Sequence, residues 1–441
     1  MLHHQLRNLS LAVTAAAALA SGADAFAFTK PAFPRIGGVN IGSPFNYNDP
    51  TYQANLARQQ LVILNYYPGF APGGVAMNTA VQAIKAHNPK ALIFLYVNSN
   101  ELQYRSAPGA FSAYQNKLDA MQWWLYADAG KTQKVGSTFG NGYYIINNTL
   151  FTPKDSSGDD AIDWITKFYF NNYYQPNPAI DGFFMDNTFW RPYVDGDWQR
   201  NGVVDLQANP TTQLWLRQGY ARYYALIKSL MPSGKFQIGN VGDWGDPGST
   251  ITEYQGLLNG GVMEAYIGKS WSVESWAGWA NMMARYRRVM GALGEPKLAI
   301  FNQWGDPSDY RSMRYGLGSC LLGDAYYSFT NTATGYNSVV WFDEFNASLG
   351  QATPAPVAAW QSGVWRRDFD NGIVLVNPKG NGPKTVTLES GFVKLSGTQD
   401  PATNNGQAVT TVTLQDRDGL ILLRKNPLKR PMPPQKVTVQ H

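Results

Sequence analysis

Short, nearly continuous apolar runs recur along most of the chain, each bounded by turn formers. They are Arg35–Ile41, Leu61–Tyr66, Ala91–Asn98, Ile180–Asn187, Phe236–Val241, Gly261–Ile267, Leu298–Gln303 and Asp324–Phe329. Unbroken apolarity over so few residues is how strands buried on both faces read, and such strands are parallel with helices over them. Apolar residues at helical spacing do lie between them, at 78–87 (closed by the stop signal Asn88-Pro89), 160–174, 212–231 and 276–293. Eight strands alternating with helices predict an α/β fold, a closed (β/α)8 TIM barrel. A doubly wound open sheet is the runner-up, disfavoured by the strand count and by the lack of a phosphate-binding glycine loop.

The connection after the third strand, from about Ser99 to Asp159, is long. It carries a Trp-rich stretch read as a helix (Met121, Trp123, Trp124, Tyr126) and a strand-like piece from Gly142 to Leu150. Long loops of this kind build clefts in barrels.

After Thr330 the pattern changes. A Gly/Ala/Pro/Thr stretch from Gly350 to Pro356 reads as a linker. Short alternating runs follow at Gly372–Asn377, Thr385–Leu388, Phe392–Leu395, Ala408–Leu414 and Gly419–Leu423, broken by Asn-Gly, Pro and Asp-Gly turns. This predicts a small antiparallel β-sandwich domain. At the other end, Arg7 precedes an apolar run, Leu9 to Leu19, and an Ala23-Asp24-Ala25 site. That is the layout of a signal peptide, too short to span a bilayer permanently. The expected organisation is a leader over 1–25, a barrel over 32–348, a β-domain over 357–426 and a basic, Pro-rich tail over 427–441. The expected destination is secreted or periplasmic, with no membrane span.

Composition narrows the chemistry. Only four of the 441 residues are histidine: His3 and His4 in the leader, His87 just before a strand, and His441 at the end. Triad hydrolases need an imidazole beside the nucleophile, and zinc sites usually need two or three. Both are poor fits, and no GxGxxG or P-loop points to a cofactor. The net charge of +5 forms no basic stripe, so nucleic acid is not an expected partner. The single Cys320 lies in an apolar segment and reads as a buried, inert thiol. The loop Asp195–Asp205 only partly matches a calcium loop, because Gln199 stands where an acid belongs and the twelfth position is not acidic. A helix-entry turn is the better reading, and neither metal nor cofactor is expected. Carboxylates must carry the chemistry.

Barrel sites collect at the C-terminal ends of the strands. Two carboxylates stand there on rigid backbone. Asp186 closes Gly182–Met185, and Glu264 ends Gly261-Val262-Met263. A carboxylate pair facing across a cleft is what cleavage of a glycosidic bond requires. The competing structural reading has Asp186 capping a helix or pairing with Arg191, and Glu264 pairing with Lys269. Other strand-end candidates for contact with a sugar are Tyr66, Tyr96, Asn98, Asn187, Asn240, Tyr266, Gln303 and Tyr327. With 14 Trp, 25 Tyr and 21 Phe the chain is aromatic-rich, and Trp190, Trp244, Trp271 and Trp304 are candidate stacking platforms. Glu101, Asp306 and Asp309 rank below them as hydroxyl binders.

The segment Asp181-Gly182-Phe183-Phe184-Met185-Asp186-Asn187 resembles the DGxFxDN strand of barrel glycosidases. Among these are the endo-α-1,4-polygalactosaminidase-like group and hypothetical glycosyl hydrolase families related to α-galactosidases. Gly260-Gly261-Val262-Met263-Glu264 resembles their GxxxE strand. The stretch Arg367-Asp368-Phe369-Asp370-Asn371-Gly372-Ile373-Val374-Leu375-Val376-Asn377-Pro378 is similar to the β-domain opening of hypothetical glycosyl hydrolase family 15. The resemblance implies a secreted glycoside hydrolase acting on a poly- or oligosaccharide with retention, Asp186 as nucleophile and Glu264 as acid/base. The residues themselves leave open which carboxylate is the acid. A non-catalytic carbohydrate-binding barrel, a transglycosylase and an adhesive envelope protein are the alternatives. The sugar, the linkage and the oligomeric state are not legible.

Overall fold

A computed structural model describes residues 28–66, 76–104 and 109–426. The expected leader and the Pro-rich tail lie outside these residues. Eight strands form one sheet: β1 Gly37–Asn40, β2 Leu61–Leu64, β3 Leu92–Asn98, β4 Gly182–Asp186, β5 Phe236–Asn240, β6 Gly260–Ile267, β7 Leu298–Gly305 and β8 Tyr326–Asn331. They pair in chain order, and every pairing is parallel. A parallel bridge between Ile36 and Tyr327 brings β8 back against β1 and closes the circle. This is the (β/α)8 barrel that the apolar runs predict.

Helices cover the outside: α1 Pro50–Leu56, α2 Met77–His87, α3 Gly109–Ala120, α4 Ala161–Tyr169, α5 Pro210–Leu230, α6 Val273–Ala277, α7 Trp279–Ala292 and α8 Tyr310–Leu321. Local sequence starts several of them. Asp49, Asp160, Asn209, Ser272 and Asp309 each cap an N-terminus by accepting from a backbone N–H. The Trp-rich stretch is a correction. The helix ends at Ala120, Gln122 takes a left-handed φ of 52°, and the next residues are extended, bridging Trp124 to Ile146 and Tyr126 to Lys134. From Trp123 to Tyr126 the apolar residues are consecutive and all buried, which suits an extended strip better than one face of a helix.

The C-terminal strands are β9 Trp365–Phe369, β10 Gly372–Asn377, β11 Lys384–Lys394, β12 Ala408–Leu414 and β13 Asp418–Arg424. They make one antiparallel sheet in the order β9-β10-β13-β11-β12. The expected antiparallel domain is present as a single sheet, not the two layers of a sandwich. The expected runs at 385–388 and 392–395 belong to one long strand, β11, whose pairing with β12 shifts between Thr387 and Phe392. Such a bulge bends a strand, letting Ile373, Leu375, Val386, Phe392, Val412 and Leu422 share one core.

Helix α8 lies between barrel and sheet. A Cβ on Gly316 would stand 1.6 Å from the Gln303 amide oxygen on β7, and one on Gly318 would stand 2.8 Å from Val376. The buried Arg367 guanidinium donates to the backbone carbonyls of Leu321, Gly323 and Thr353 and pairs with Asp324 at 2.7 Å. The segment around Arg367 therefore fastens the two parts together.

Candidate active site

Strand alternation builds the site. Leu61, Ile63, Leu92, Phe94, Phe184, Ile238, Val262, Leu298, Ile300 and Tyr326 point inward and fill the barrel. One step of two residues toward the C-terminal ends gives the next inward layer: Tyr96, Asp186, Asn240, Glu264, Asn302 and Ser328. An apolar plug thus carries a polar layer at its mouth, and both candidate carboxylates belong to it.

The two acids meet through one amide. Asn240 Nδ2 donates to Asp186 Oδ1 and to Glu264 Oε2, each at 3.1 Å. Those two oxygens therefore lie no farther apart than twice that distance. Asp186 Oδ2 also accepts from the Tyr96 hydroxyl at 2.7 Å. Glu264 Oε1 accepts a short hydrogen bond from the Tyr336 hydroxyl. Among the described residues neither carboxylate forms an ion pair, so the Arg191 and Lys269 pairings are not made. The Lys269 ammonium instead lies 3.5 Å over the Trp304 ring and 5.0 Å over Trp271. Trp304 in turn packs edge-on to Tyr336 at 5.0 Å.

Backbone irregularities aim both groups. The pairing of β6 with β7 shifts between Met263 and Ile267, and Ala265 has a left-handed φ of 47°. The buried Asn302 holds this bulge by accepting from Ala265 N at 3.1 Å, while its own amide donates to Thr330 at 2.9 Å. Bulges at barrel rims re-aim side chains, and here Glu264 is the side chain turned. Asn187, directly after Asp186, has a φ of 54°, a conformation asparagine tolerates well.

Electrostatics separate the acids of the rim. Burial, and then the charge of Asp186, raise the pKa of Glu264 against the opposing Tyr336 and Asn240 hydrogen bonds. Glu101 is also raised, again chiefly by burial, with Asp186 adding to it. Asp243 is pushed up to about 8 by burial; it accepts from Trp190 N and from the Tyr193 hydroxyl, both at 3.4 Å.

The remaining candidates divide. Asn98 and Tyr96 line a cavity of about 240 Å³ beside Asp186, and Asn98 Oδ1 accepts from the N–H groups of Asn100 and Glu101. Asn187 donates to Glu101 at 3.3 Å. Tyr66 packs edge-on to Tyr173, another cavity residue, at 5.2 Å. Trp190 is half-buried at the rim beside Arg191.

Four residues are corrections: Trp244, Tyr266, Gln303 and Tyr327 are fully buried in the packing and present no face to a sugar. Gln303 and Tyr327 point outward from the barrel and bond each other at 2.6 Å beneath α8. Tyr266, after the bulge, packs on Phe301, and Trp244 stacks on Tyr254 while donating to Thr188 O. Asp306 and Asp309 cap a turn and α8. In the 195–205 loop, Asp197 accepts from the N–H groups of Asn201 and Gly202, and Asp205 accepts from Gln199 N; these carboxylates close a turn. Cys320 is buried, and burial raises its thiol pKa. Among the described residues no cluster of His, Cys, Asp and Glu is arranged to hold a metal. Tyr336, from the loop after β8, was not foreseen: no periodicity marks it, and only the closed barrel brings it to Glu264.

A parallel barrel with a hydrogen-bonded carboxylate pair at its mouth is an arrangement that barrel glycosidases use. The chain belongs to hypothetical glycosyl hydrolase family 15, whose model matches residues 85–373. It is accordingly a glycoside hydrolase. Among curated proteins, no sequence matches. Solved structures similar to it include the type III pullulan hydrolase from Thermococcus kodakarensis, at 12% identity and TM-score 0.47, covering 88% of this chain and 75% of that one. The cyclic α-maltosyl-(1→6)-maltose hydrolase from Arthrobacter globiformis is similar at 10% identity and TM-score 0.46, covering 88% and 98%. The cycloalternan-forming enzyme from Listeria monocytogenes is similar at 12% identity and TM-score 0.45; this chain, 89% covered, spans 41% of its length.

Proposed function

We propose that the protein is an exported, retaining glycoside hydrolase of a poly- or oligosaccharide, with Asp186 as nucleophile and Glu264 as general acid/base. The observation that carries the retaining mechanism is the shared Asn240 amide. Two 3.1 Å bonds to one nitrogen hold the facing oxygens inside about 6.2 Å. Inverting enzymes separate their carboxyls by roughly 6.5–9.5 Å to admit a water, whereas retaining ones sit near 5–5.5 Å.

The division of roles follows from surroundings. Glu264 is the group that burial and a neighbouring charge push toward holding its proton, as an acid must. Asp186 receives a hydrogen bond on each oxygen and stands where it can attack. In the first step an Asp186 oxygen bonds to the anomeric carbon, the glycosidic C–O bond breaks, and Glu264 gives its proton to the departing oxygen. In the second, Glu264 takes a proton from water, the hydroxide oxygen bonds to the anomeric carbon, and Asp186 leaves. The strand-four and strand-six order is the one implied by the resemblance to the α-galactosidase-related clan. The expected leader supports a secreted or periplasmic location.

The test is turnover on a panel of poly- and oligosaccharides and aryl glycosides. Asp186→Asn and Glu264→Gln should each lower it by several orders of magnitude, and a 2-fluoroglycoside should trap a covalent adduct on Asp186. Near-normal turnover in either variant, or a product of inverted configuration, rules the assignment out.

A further inference from the structure

Aromatic side chains lead outward from Glu264 along the rim. The Tyr336 hydroxyl donates to Glu264, and the Tyr336 ring packs edge-on to Trp304 at 5.0 Å. The Lys269 ammonium lies 3.5 Å over the Trp304 ring and 5.0 Å over that of Trp271, so the two ring centres stand no farther apart than those distances together. Trp276 Nε1 donates to Trp271 O at 2.8 Å, and the Arg285 guanidinium lies 4.4 Å over the Trp276 ring. The loop carrying both tryptophans leaves β6 pressed against β7: a Cβ on Gly268, at φ 119°, would stand 1.7 Å from Trp304 O. Beside it the rim is open. Gly268, Ser275, Trp304, Asp306 and Thr332 line a cleft of about 400 Å³, a size within the roughly 300–1,000 Å³ of ligand sites.

Trp271 is 52% exposed and Trp276 56%. Two neighbouring tryptophans left in water mark a contact surface, and their surroundings say for what. Each ring has a cation over one face, which pins it and leaves the other face free. Among the described residues no large aliphatic side chain is exposed in this loop, as a protein contact or a membrane anchor would require. Flat, pinned rings among serines suit the apolar face of a pyranose. We infer that the loop 268–277, with Trp271 and Trp276 as its platforms, holds the departing part of a polysaccharide chain, so that the substrate is a polymer and not a disaccharide or short glycoside. This rests on the reading of Glu264 as the acid, since the acid serves the group that leaves. Charge selects further. Arg285 is paired with Asp246, whereas Lys269 has no carboxylate partner among the described residues. A neutral or acidic chain fits beside that ammonium and a polycationic one does not.

The experiment is affinity electrophoresis of full-length protein carrying Asp186→Asn, in gels containing pullulan, dextran, galactomannan, xylan, polygalacturonate or chitosan. At least one neutral or acidic polymer should retard it, and more strongly than chitosan does. Adding Trp271→Ala and Trp276→Ala together should weaken that binding about tenfold or more, with Tm held because both side chains are exposed. Tyrosine at both positions, which keeps a flat ring, should recover part of the loss. With Asp186 intact, the alanine pair should lower kcat/KM on the bound polymer, through KM, by more than on an aryl glycoside of the same sugar. No polymer bound, equal binding by the alanine pair, preference for chitosan, or polymer and aryl glycoside turnover falling together would each overturn the platform. So would binding to anionic phospholipid vesicles that the alanine pair abolishes while no polymer is bound, which would make the surface a membrane contact. Turnover surviving in Asp186→Asn would instead sink the hydrolytic reading and leave the gel result standing, so the two failures are told apart.

Discussion

The hydroxyl of Tyr336, carried by the loop after the last barrel strand, donates to the carboxylate of Glu264 on the sixth. The bond favours the ionised form of Glu264 and works against burial, which favours the protonated one. Removing the hydroxyl should therefore raise the Glu264 pKa further. If Glu264 is the acid, the alkaline limb of the kcat/KM profile moves to higher pH in Tyr336→Phe. Charge-assisted hydrogen bonds contribute about 1.5–3 kcal/mol, so the loss of rate at the optimum should be roughly ten- to a hundredfold. A profile that does not move separates Tyr336 from the acid.

Asn240 is expected to matter more than its neutrality suggests. Its single Nδ2 answers two carboxylates. Asn240→Ala removes the group that joins them and lets the pair drift from its spacing. Losing one fixed donor in an enzyme site typically costs about 10²–10³ in kcat. Asn240→Ala should fall in that range, with circular dichroism unchanged and Tm lowered by a few degrees at most. A loss below tenfold would mean that the strands alone hold the spacing.

How far the site was legible follows from strand parity. Asp186, Asn240 and Glu264 each end a buried run two residues beyond an inward-facing apolar side chain, so sequence alone places them at the barrel mouth. The same rule, applied strictly, would have excluded Gln303 and Tyr327, which follow inward Asn302 and Tyr326 and face α8. Tyr266 escapes the rule because the bulge after Glu264 breaks the alternation. Strand β9 was missed because Arg366, Arg367 and Asp368 look like a solvated segment, although Arg367 is buried by its bonds to the barrel. Tyr336 had no local signal, since its partner lies 72 residues away and only barrel closure joins them.

The bulge itself can be tested at Ala265, a buried residue at φ 47°. Glycine accepts that conformation freely, so Ala265→Gly should leave Tm unchanged or slightly higher. Valine is branched at Cβ and suits a left-handed backbone poorly. Ala265→Val should lower stability by about 2 kcal/mol or more, of the order seen for strained backbone sites. It should lower kcat as well, because Glu264 would be re-aimed. Equal activity in both variants would show that the bulge is not what sets the acid's position.

Asp243 provides a pH-dependent prediction whose sign is fixed by its burial. Its pKa is raised from 3.8 to about 8 in the folded chain, while the unfolded chain keeps the ordinary carboxylate value. Below the unfolded pKa both states hold the proton and folding bears no penalty from this group. As pH rises from about 4 to about 8, the unfolded chain releases the proton first, and stability falls throughout that window. Asp243→Asn removes the titration but keeps an oxygen to accept from Trp190 N and Tyr193. The variant should therefore match the parent in Tm near pH 4 and exceed it increasingly toward pH 8, by several degrees, each kcal/mol counting for about 2 °C in a chain of this size. Thermal melts at a series of pH values decide the matter. Parallel curves for the two proteins would mean that Asp243 is ionised in the fold across this range, with water or a cation reaching the Oδ1 atom that is buried without a partner.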